Sequence, residues 1–143
     1  MTERRGSAMS FTRRLVLLVA VLLTMGTTSA TASVEWEVNY ALPGTPPDSV
    51  SCTSDSFYAG VVCWEAHGDI VWVYSGYTHV TAWWWNYYPS DSVLHRQGKC
   101  VSNRSGWAYC NKNMHERSLI ALRACDSPDQ DDRLCSSIIR PRA

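Results

Sequence analysis

Hydrophobic and polar residues alternate in several short stretches of the chain, a pattern that indicates β-strands with two different faces. The first stretch, residues 34–40, has apolar side chains at every second position and polar side chains between them. The apolar positions are Val34, Trp36, Val38 and Tyr40, and the polar positions are Glu35, Glu37 and Asn39. We expect a half-buried strand here.

Turn-forming residues divide the rest of the chain into short segments. Residues 41–56 contain three prolines and one glycine, which predicts an irregular linker. Strands are predicted at 57–66, 70–74, 77–88, 98–103, 107–110 and 118–125, with a loop at 89–97. Because no segment has sustained helical periodicity, the predicted fold class is all-β, a small antiparallel β-sandwich or barrel.

The first 32 residues have the three parts of a secretory signal peptide. A charged segment, 1–14, precedes an unbroken apolar run at 15–23, and small residues follow up to Ala30-Thr31-Ala32. The run is shorter than the roughly 20 residues that span a bilayer. We predict cleavage after Ala32 and a secreted, extracellular product without stable membrane insertion. Residues 33–56 then form a strand and Pro-rich linker, and residues 57–143 form a disulfide-stapled β domain.

The six cysteines all follow the predicted cleavage site, and an even number in a short exported domain indicates disulfides. Spacing alone leaves 15 connectivities open. One pair has a local argument, because Arg104-Ser105-Gly106 suits a hairpin loop that places Cys100 opposite Cys110. Cys52 and Cys63 flank one polar loop and Cys125 and Cys135 another, so nearest-neighbour pairing is predicted throughout. A zinc site is the weaker alternative, since no C-x-x-C pair is present.

The charge balance changes when the predicted leader is removed. The whole chain has 13 basic and 13 acidic residues, of which four basic and one acidic lie in residues 1–32. Residues 33–143 therefore carry 9 basic and 12 acidic residues, a net charge of −3. A mildly acidic chain with only two lysines argues against a nucleic-acid partner.

The segment 77–88 suggests a binding surface. One of its faces carries Val80, Ala82 and Trp84 and resembles a core stripe. The other carries the candidate ligand-binding residues Tyr77, His79, Trp83, Trp85 and Tyr87. If that face is exposed, its flat rings can stack on sugars, which predicts binding of an extracellular polysaccharide. The same rings suit a secreted protein partner or a hydrolase-inhibitor function, and the alternative is that a second sheet covers them.

The sequence contains no recognisable catalytic motif. The four histidines, at positions 67, 79, 95 and 115, accompany no G-x-S-x-G or similar motif, and oxidised cysteines cannot act as thiol nucleophiles. Glu65 and Asp69 could pair across a turn, but carboxylates beside turns are usually solvated. The acidic loop after Cys125 lacks the glycine and closing glutamate of a calcium loop. We therefore predict a protein that is not an enzyme, with no catalytic residue, metal site or cofactor.

The segment 60–136 resembles a family of small secreted actinomycete proteins of unknown function. The elements that carry this resemblance are Cys63, Gly68-Asp69-Ile70-Val71-Trp72-Val73, residues 80–86 around a Trp, Gly98-Lys99-Cys100-Val101-Ser102-Asn103, Gly106-Trp107, Cys110-Asn111, Arg123-Ala124-Cys125 and Cys135-Ser136. They cover about two-thirds of the chain after the predicted leader. The resemblance implies export and disulfide bonding, and it implies no activity.

Overall fold

The computed structural model describes residues 33–54, 60–77, 79–90, 92–126 and 134–143. Within these ranges the chain forms nine β-strands. They are β1 (Trp36–Tyr40), β2 (Leu42–Pro43), β3 (Ser51–Ser54), β4 (Gly60–Glu65), β5 (Ile70–Ser75), β6 (Val80–Tyr87), β7 (Leu94–Ser102), β8 (Gly106–Asn111) and β9 (Leu119–Cys125). No helix among the described residues is long and apolar enough to cross a membrane. The predicted leader 1–32, residues 57–59 of the second predicted strand and the loop 127–133 lie outside the described residues.

The strands form two sheets. Sheet A has the order β1-β7-β6-β9, and sheet B has the order β2-β8-β5-β4-β3. β1 runs parallel to β7, and the other paired strands are antiparallel. Neither sheet closes into a barrel, so the predicted all-β class is confirmed in its sandwich form. Residues Val34–Ala143 make up one compact unit.

The core lies between the two sheets and is built from alternate positions of their strands. Sheet A contributes Val80, Ala82 and Trp84, which are at most 1 % exposed, as the alternation in β6 predicts. Sheet B contributes the inward positions of β4 and β5, including the fully buried Val62 and Val71. Because a strand alternates its faces, burial of Trp84 directs Trp83 and Trp85 to the opposite side of sheet A.

The connection between β7 and β8 differs from the predicted hairpin. β7 pairs with β1 and β6, whereas β8 pairs with β2 and β5, so the two strands belong to different sheets. Gly106 has the left-handed φ of 87° that the turn requires, as the sequence indicates. β7 also begins at Leu94, within the predicted loop 89–97. The turn was therefore located correctly, but it crosses between sheets instead of joining neighbouring strands.

All three predicted disulfides are present. Cys52–Cys63 joins directly paired residues of β3 and β4, with Cα atoms 4.0 Å apart. Cys125–Cys135 joins β9 to the C-terminal segment, with Cα atoms 4.1 Å apart. Cys100–Cys110 spans 5.9 Å between Cα atoms and connects sheet A to sheet B through the core. It therefore holds the two layers of the sandwich together.

The C-terminal segment runs antiparallel along the outer edge of β9. Ile139 and Leu122 exchange two backbone hydrogen bonds, of 2.9 and 3.0 Å, and Ile120 donates to the carbonyl of Pro141 at 3.0 Å. Trp64 of sheet B also donates its indole N–H to the carbonyl of Arg142, at 2.9 Å. The edge of β9 is thereby paired instead of being left open to other chains.

Candidate functional site

One face of sheet A packs on sheet B, and no described strand covers the opposite face, which we call the outer face. Its side chains come from alternate positions of the four strands and of the C-terminal segment. From β1 across to that segment they are Trp36, Val38, Tyr40; Gln97, Lys99, Val101; Thr81, Trp83, Trp85, Tyr87; Leu119, Ala121, Arg123, Cys125; Ile138, Arg140, Arg142. The face therefore combines aromatic rings with cationic groups.

Three tryptophans meet near its centre. The ring centroid of Trp36 lies 5.1 Å from that of Trp83 and 6.2 Å from that of Trp85, edge to face in both pairs. Gln97 of β7 separates Trp36 from Trp85 in the strand register, so the Trp36 side chain reaches across β7. Trp36 is 46 % exposed and Trp83 only 7 %. The accessible ring surface consequently belongs to Trp36 and the partly exposed Trp85, with Trp83 packed against Trp36.

Cationic side chains flank the indoles. The Lys99 ammonium lies 5.2 Å from the centre of the Trp83 ring, and the Arg123 guanidinium lies 5.8 Å from that of Trp85. Both distances are within the range of cation–π attraction. Trp83 is thus buried by neighbouring side chains and not by a second sheet.

A hollow of about 270 Å³ continues the outer face beyond Trp85. It is lined by Tyr87, Leu119, Ala121 and Arg140, together with two neighbours, Ser92 and Ile120. Ala121 lies directly opposite Trp85 across β6 and β9, and its small side chain leaves the space that the hollow occupies. The hollow has one aromatic wall and one cationic wall.

The structure brings only part of the predicted ligand-binding set together. Trp83, Trp85 and Tyr87 follow one another on the outer face. Tyr77 is 70 % exposed but precedes β6, in the bend after β5. The His79 ring nitrogens lie 3.0 Å from Asn103 Oδ1 and 3.3 Å from Thr81 Oγ1, so the ring is held at the end of the face. The tryptophans lie farther along β6, near the middle of the face.

The predicted set lacks Trp36, Lys99 and Arg140, which belong to the outer face. Alternation in residues 34–40 places Trp36, Val38 and Tyr40 on one side of β1, but we expected that side to be the buried one. They are instead 46 %, 49 % and 71 % exposed. The alternation in β1 was correctly identified, and its orientation is the reverse of the expected one.

An ionic cluster explains why the polar side of β1 faces inward. Glu37 accepts hydrogen bonds from Arg96 Nε at 2.8 Å and Arg96 Nη2 at 3.0 Å, and from Lys112 Nζ at 3.2 Å. Lys112, 3 % exposed at its side chain, also bonds Asn39 and lies 4.6 Å from the Trp84 ring centre. Two strands of sheet A and the segment after β8 are joined by these contacts.

The cluster shifts two pKa values. Burial raises the pKa of Glu37, but its hydrogen bonds to Arg96 and Lys112 and their positive charges outweigh burial, so the net pKa is lowered. Burial lowers the pKa of Lys112, although its hydrogen bond to Glu37 and the attraction of that carboxylate oppose the change. Glu37 and Lys112 are bound to each other, so we interpret the cluster as a structural element of the fold.

The outer side of sheet B also carries aromatic rings, but the chain covers part of it. Trp72 packs against Tyr109 at 5.1 Å between ring centroids and is only 6 % exposed. A Cβ atom on Gly44 of the Pro-rich linker would lie 2.8 Å from the Tyr109 ring and 3.0 Å from the Trp72 ring, so the linker backbone rests directly on them. The segment predicted as an irregular linker contains β2 and β3, and its middle part joins these two opposite edges of sheet B and therefore crosses this surface.

The carboxylates considered for catalysis have structural partners. Glu65 accepts a 2.7 Å hydrogen bond from the indole N–H of Trp72, and Asp69 accepts one of 3.0 Å from the backbone N–H of Met114. His95 and His115 both pack against Tyr88, with ring centroids 4.3 and 5.8 Å away. Among the described residues no three His, Cys, Asp or Glu side chains are placed to hold a metal ion. Asp129, Asp131 and Asp132 of the acidic loop lie outside these residues.

The site combines an accessible tryptophan pair, a tyrosine-lined hollow and adjacent cations on one uncovered sheet face. No family model, curated protein or solved structure matches the chain.

Proposed function

We propose that this protein is a secreted, non-catalytic carbohydrate-binding protein whose ligand lies along the outer face of sheet A. The observation that carries the proposal is the row of accessible rings formed by Trp36, Trp85 and Tyr87. Indole and phenol rings stack on the apolar faces of sugars, and the polar groups beside them can bond sugar hydroxyls. A contiguous aromatic patch of this kind is typical of an interaction surface.

The contrast between the two sheets supports this assignment. On sheet B the Pro-rich linker packs over Trp72 and Tyr109, whereas no described segment does so over Trp36 and Trp85. A chain of this size that buries one aromatic surface and leaves the other open retains exposed apolar area that a ligand can cover.

An unpartnered donor lies in the same place. The indole N–H of Trp83 is buried and has no hydrogen-bond acceptor among the described residues. Such a group costs free energy until it is paired.

The test uses affinity electrophoresis of the oxidised protein in gels that contain cellulose derivatives, soluble starch, glycol chitin or pectin. The variants are Trp36→Ala and Trp85→Ala. The matched control is Trp107→Ala, which removes a partly exposed tryptophan from sheet B, where it pairs with Tyr74 at 5.2 Å.

We expect retardation in at least one gel, weakened at least tenfold in affinity, or about 1.4 kcal/mol, by either outer-face substitution and unchanged by the control. Absence of retardation in every gel, or equal losses in all three variants, would contradict the proposal. Intact-mass measurement of protein recovered from culture medium tests secretion, with an expected N-terminus at Ser33.

The alternative is a protein-binding or hydrolase-inhibitor domain, favoured by the edge position of β1. Val38 and Tyr40 are 49 % and 71 % exposed on this edge strand, where a partner chain can add a strand. Val38→Lys separates the two functions, because it disturbs a protein interface along β1 while leaving Trp85 and the hollow intact. Loss of a defined hydrolase complex in this variant, with sugar binding absent from the wild type, would favour the alternative.

A further inference from the structure

Four of the eight lysines and arginines among the described residues lie on the outer face. Lys99, Arg123, Arg140 and Arg142 all occupy outward positions there. None of the outward positions of sheet A and its C-terminal extension, as far as the chain is described, holds a carboxylate. This clustering is unexpected in a chain whose residues 33–143 carry a net charge of −3.

The cations lie beside the rings and not at a distance from them. Lys99 and Arg123 are stacked on Trp83 and Trp85, and Arg140 lines the same hollow as Tyr87. Arg142 is exposed, and its pairing with Leu119 places it next to the same hollow. A ligand that stacks on the indoles therefore meets guanidinium groups at its next position.

The row that contains Trp36, Gln97, Trp85, Ala121 and Arg140 crosses the sheet from β1 to the C-terminal segment. Four interstrand spacings of about 4.8 Å give this row a length of roughly 19 Å. Such a length accommodates several linked sugar rings, with stacking at one end and a cation at the other.

We propose that the ligand is an acidic polysaccharide, whose sugar rings stack on Trp36 and Trp85 while a carboxylate of a neighbouring ring is bound by Arg140 in the hollow. This inference rests on the proposed carbohydrate-binding function and specifies its ligand class. Guanidinium binds carboxylate through two parallel hydrogen bonds, which gives both charge complementarity and orientation.

A nucleic acid is the competing polyanion, and the charge distribution disfavours it. Apart from the four cations of the outer face, residues 33–143 contain 5 basic residues and 12 acidic ones. A densely charged duplex extending beyond the outer face would meet this acidic remainder, whereas a uronic acid chain confined to the face would not.

The test measures binding by isothermal titration with polygalacturonate and with its methyl ester, which keeps the sugar backbone and removes the charge. Arg140→Glu is compared with Arg104→Glu, a control on the exposed loop between β7 and β8. We expect at least about tenfold tighter binding of the acid than of the ester, and a loss on the order of tenfold in Arg140→Glu with less than twofold in the control. Raising salt from about 0.05 to 0.5 M should weaken binding of the acid only.

Three other outcomes would overturn the acidic polysaccharide as the ligand. Equal affinity for acid and ester, with both lost in Trp85→Ala, would overturn the acidic ligand and leave the carbohydrate-binding function standing. Absence of binding to either polymer and to the neutral glycans would overturn both. Tighter binding of single-stranded DNA than of polygalacturonate, lost in Arg140→Glu, would assign the surface to nucleic acid instead.

Discussion

Replacing Gly98 by alanine tests how β1 is held on β7, and with it the position of Trp36. Gly98 is the register partner of Glu37. A Cβ atom there would lie 2.5 Å from the backbone oxygen of Glu37, 2.6 Å from Cζ2 of Trp84 and 2.9 Å from Cβ of Glu37. Since nonbonded carbons pack at about 3.5–4.0 Å, the new methyl group overlaps its neighbours by roughly 1 Å.

The size of the stability loss in Gly98→Ala depends on whether the neighbours of the new methyl group can move away from it. Neither a strand backbone nor the fully buried Trp84 ring yields easily, so the overlap should cost toward the top of the usual range of about 1–3 kcal/mol. Restricting the unfolded chain by replacing glycine offsets about 0.5–1 kcal/mol of this. The expected net loss of unfolding free energy is about 2 kcal/mol, which lowers the Tm of a domain of this size by roughly 8–10 °C.

Circular dichroism melts of the oxidised protein measure this loss, and affinity electrophoresis of the same samples measures sugar binding. Both should fall, because relief of the overlap moves β1 and the Trp36 side chain that it carries. Gly106→Ala is the control, since a Cβ atom there meets nothing within 4 Å and only the positive φ of 87° is strained. It should cost about 1 kcal/mol and leave binding intact.

A second substitution, at Trp84, tests whether the overlap with the Trp84 ring causes the loss of stability. Trp84→Leu removes the ring that the methyl group meets, so the double variant should lose less stability than the two single variants together. Strict additivity, or a Tm for Gly98→Ala at or above that of the wild type, would show that the close packing of Gly98 does not hold β1.

Three further outcomes are expected. The lowered pKa of Glu37 means that its carboxylate stabilises the fold above the unfolded value of 4.5, and that this contribution is lost as pH falls through the folded pKa. Glu37→Gln should therefore cost about 1 kcal/mol in urea unfolding at pH 7 and less at pH 3, and an equal cost at both pH values would contradict this. Replacing both Cys100 and Cys110 by alanine should lower the unfolding free energy by about 3 kcal/mol, and a loss below about 1 kcal/mol would mean that the link between sheets is dispensable. Deleting residues 138–143 uncovers the edge of β9 and should increase self-association in analytical ultracentrifugation, whereas an unchanged monomer would indicate that another segment protects that edge.

The sequence predicted most of the strands, the turns and the disulfides because each is encoded locally. It missed β2 and β3, which lie in the predicted irregular linker 41–56. Alternation in β6 separated Trp84 from Trp83 and Trp85 correctly, since a period of two residues assigns side chains to faces whatever the partner strands are. The cysteine pairs could be predicted because each encloses a short loop of 10 or 11 residues in sequence separation.

The orientation of β1 and the connection between β7 and β8 could not be predicted, because both depend on residues far apart in the chain. Alternation in β1 gives two faces but does not say which one is buried, and that choice is made by Arg96 and Lys112, which bind Glu37. The spacing of Cys100 and Cys110 fits a hairpin and a crossing between sheets equally well. The expectation that the apolar side of β1 is buried was therefore wrong, and Trp36 was not among the candidate ligand-binding residues.

The pairing of β1 has a kinetic consequence. Trp36 pairs with Gln97, and Leu42 at the start of β2 pairs with Tyr109, so the first strands to leave the ribosome find their partners only after most of the chain has followed. Contacts between such distant segments form slowly, because a long loop must close before they contribute. The strand that carries Trp36 is thus synthesised first and docks late, and the aromatic surface should be among the last parts of the protein to mature.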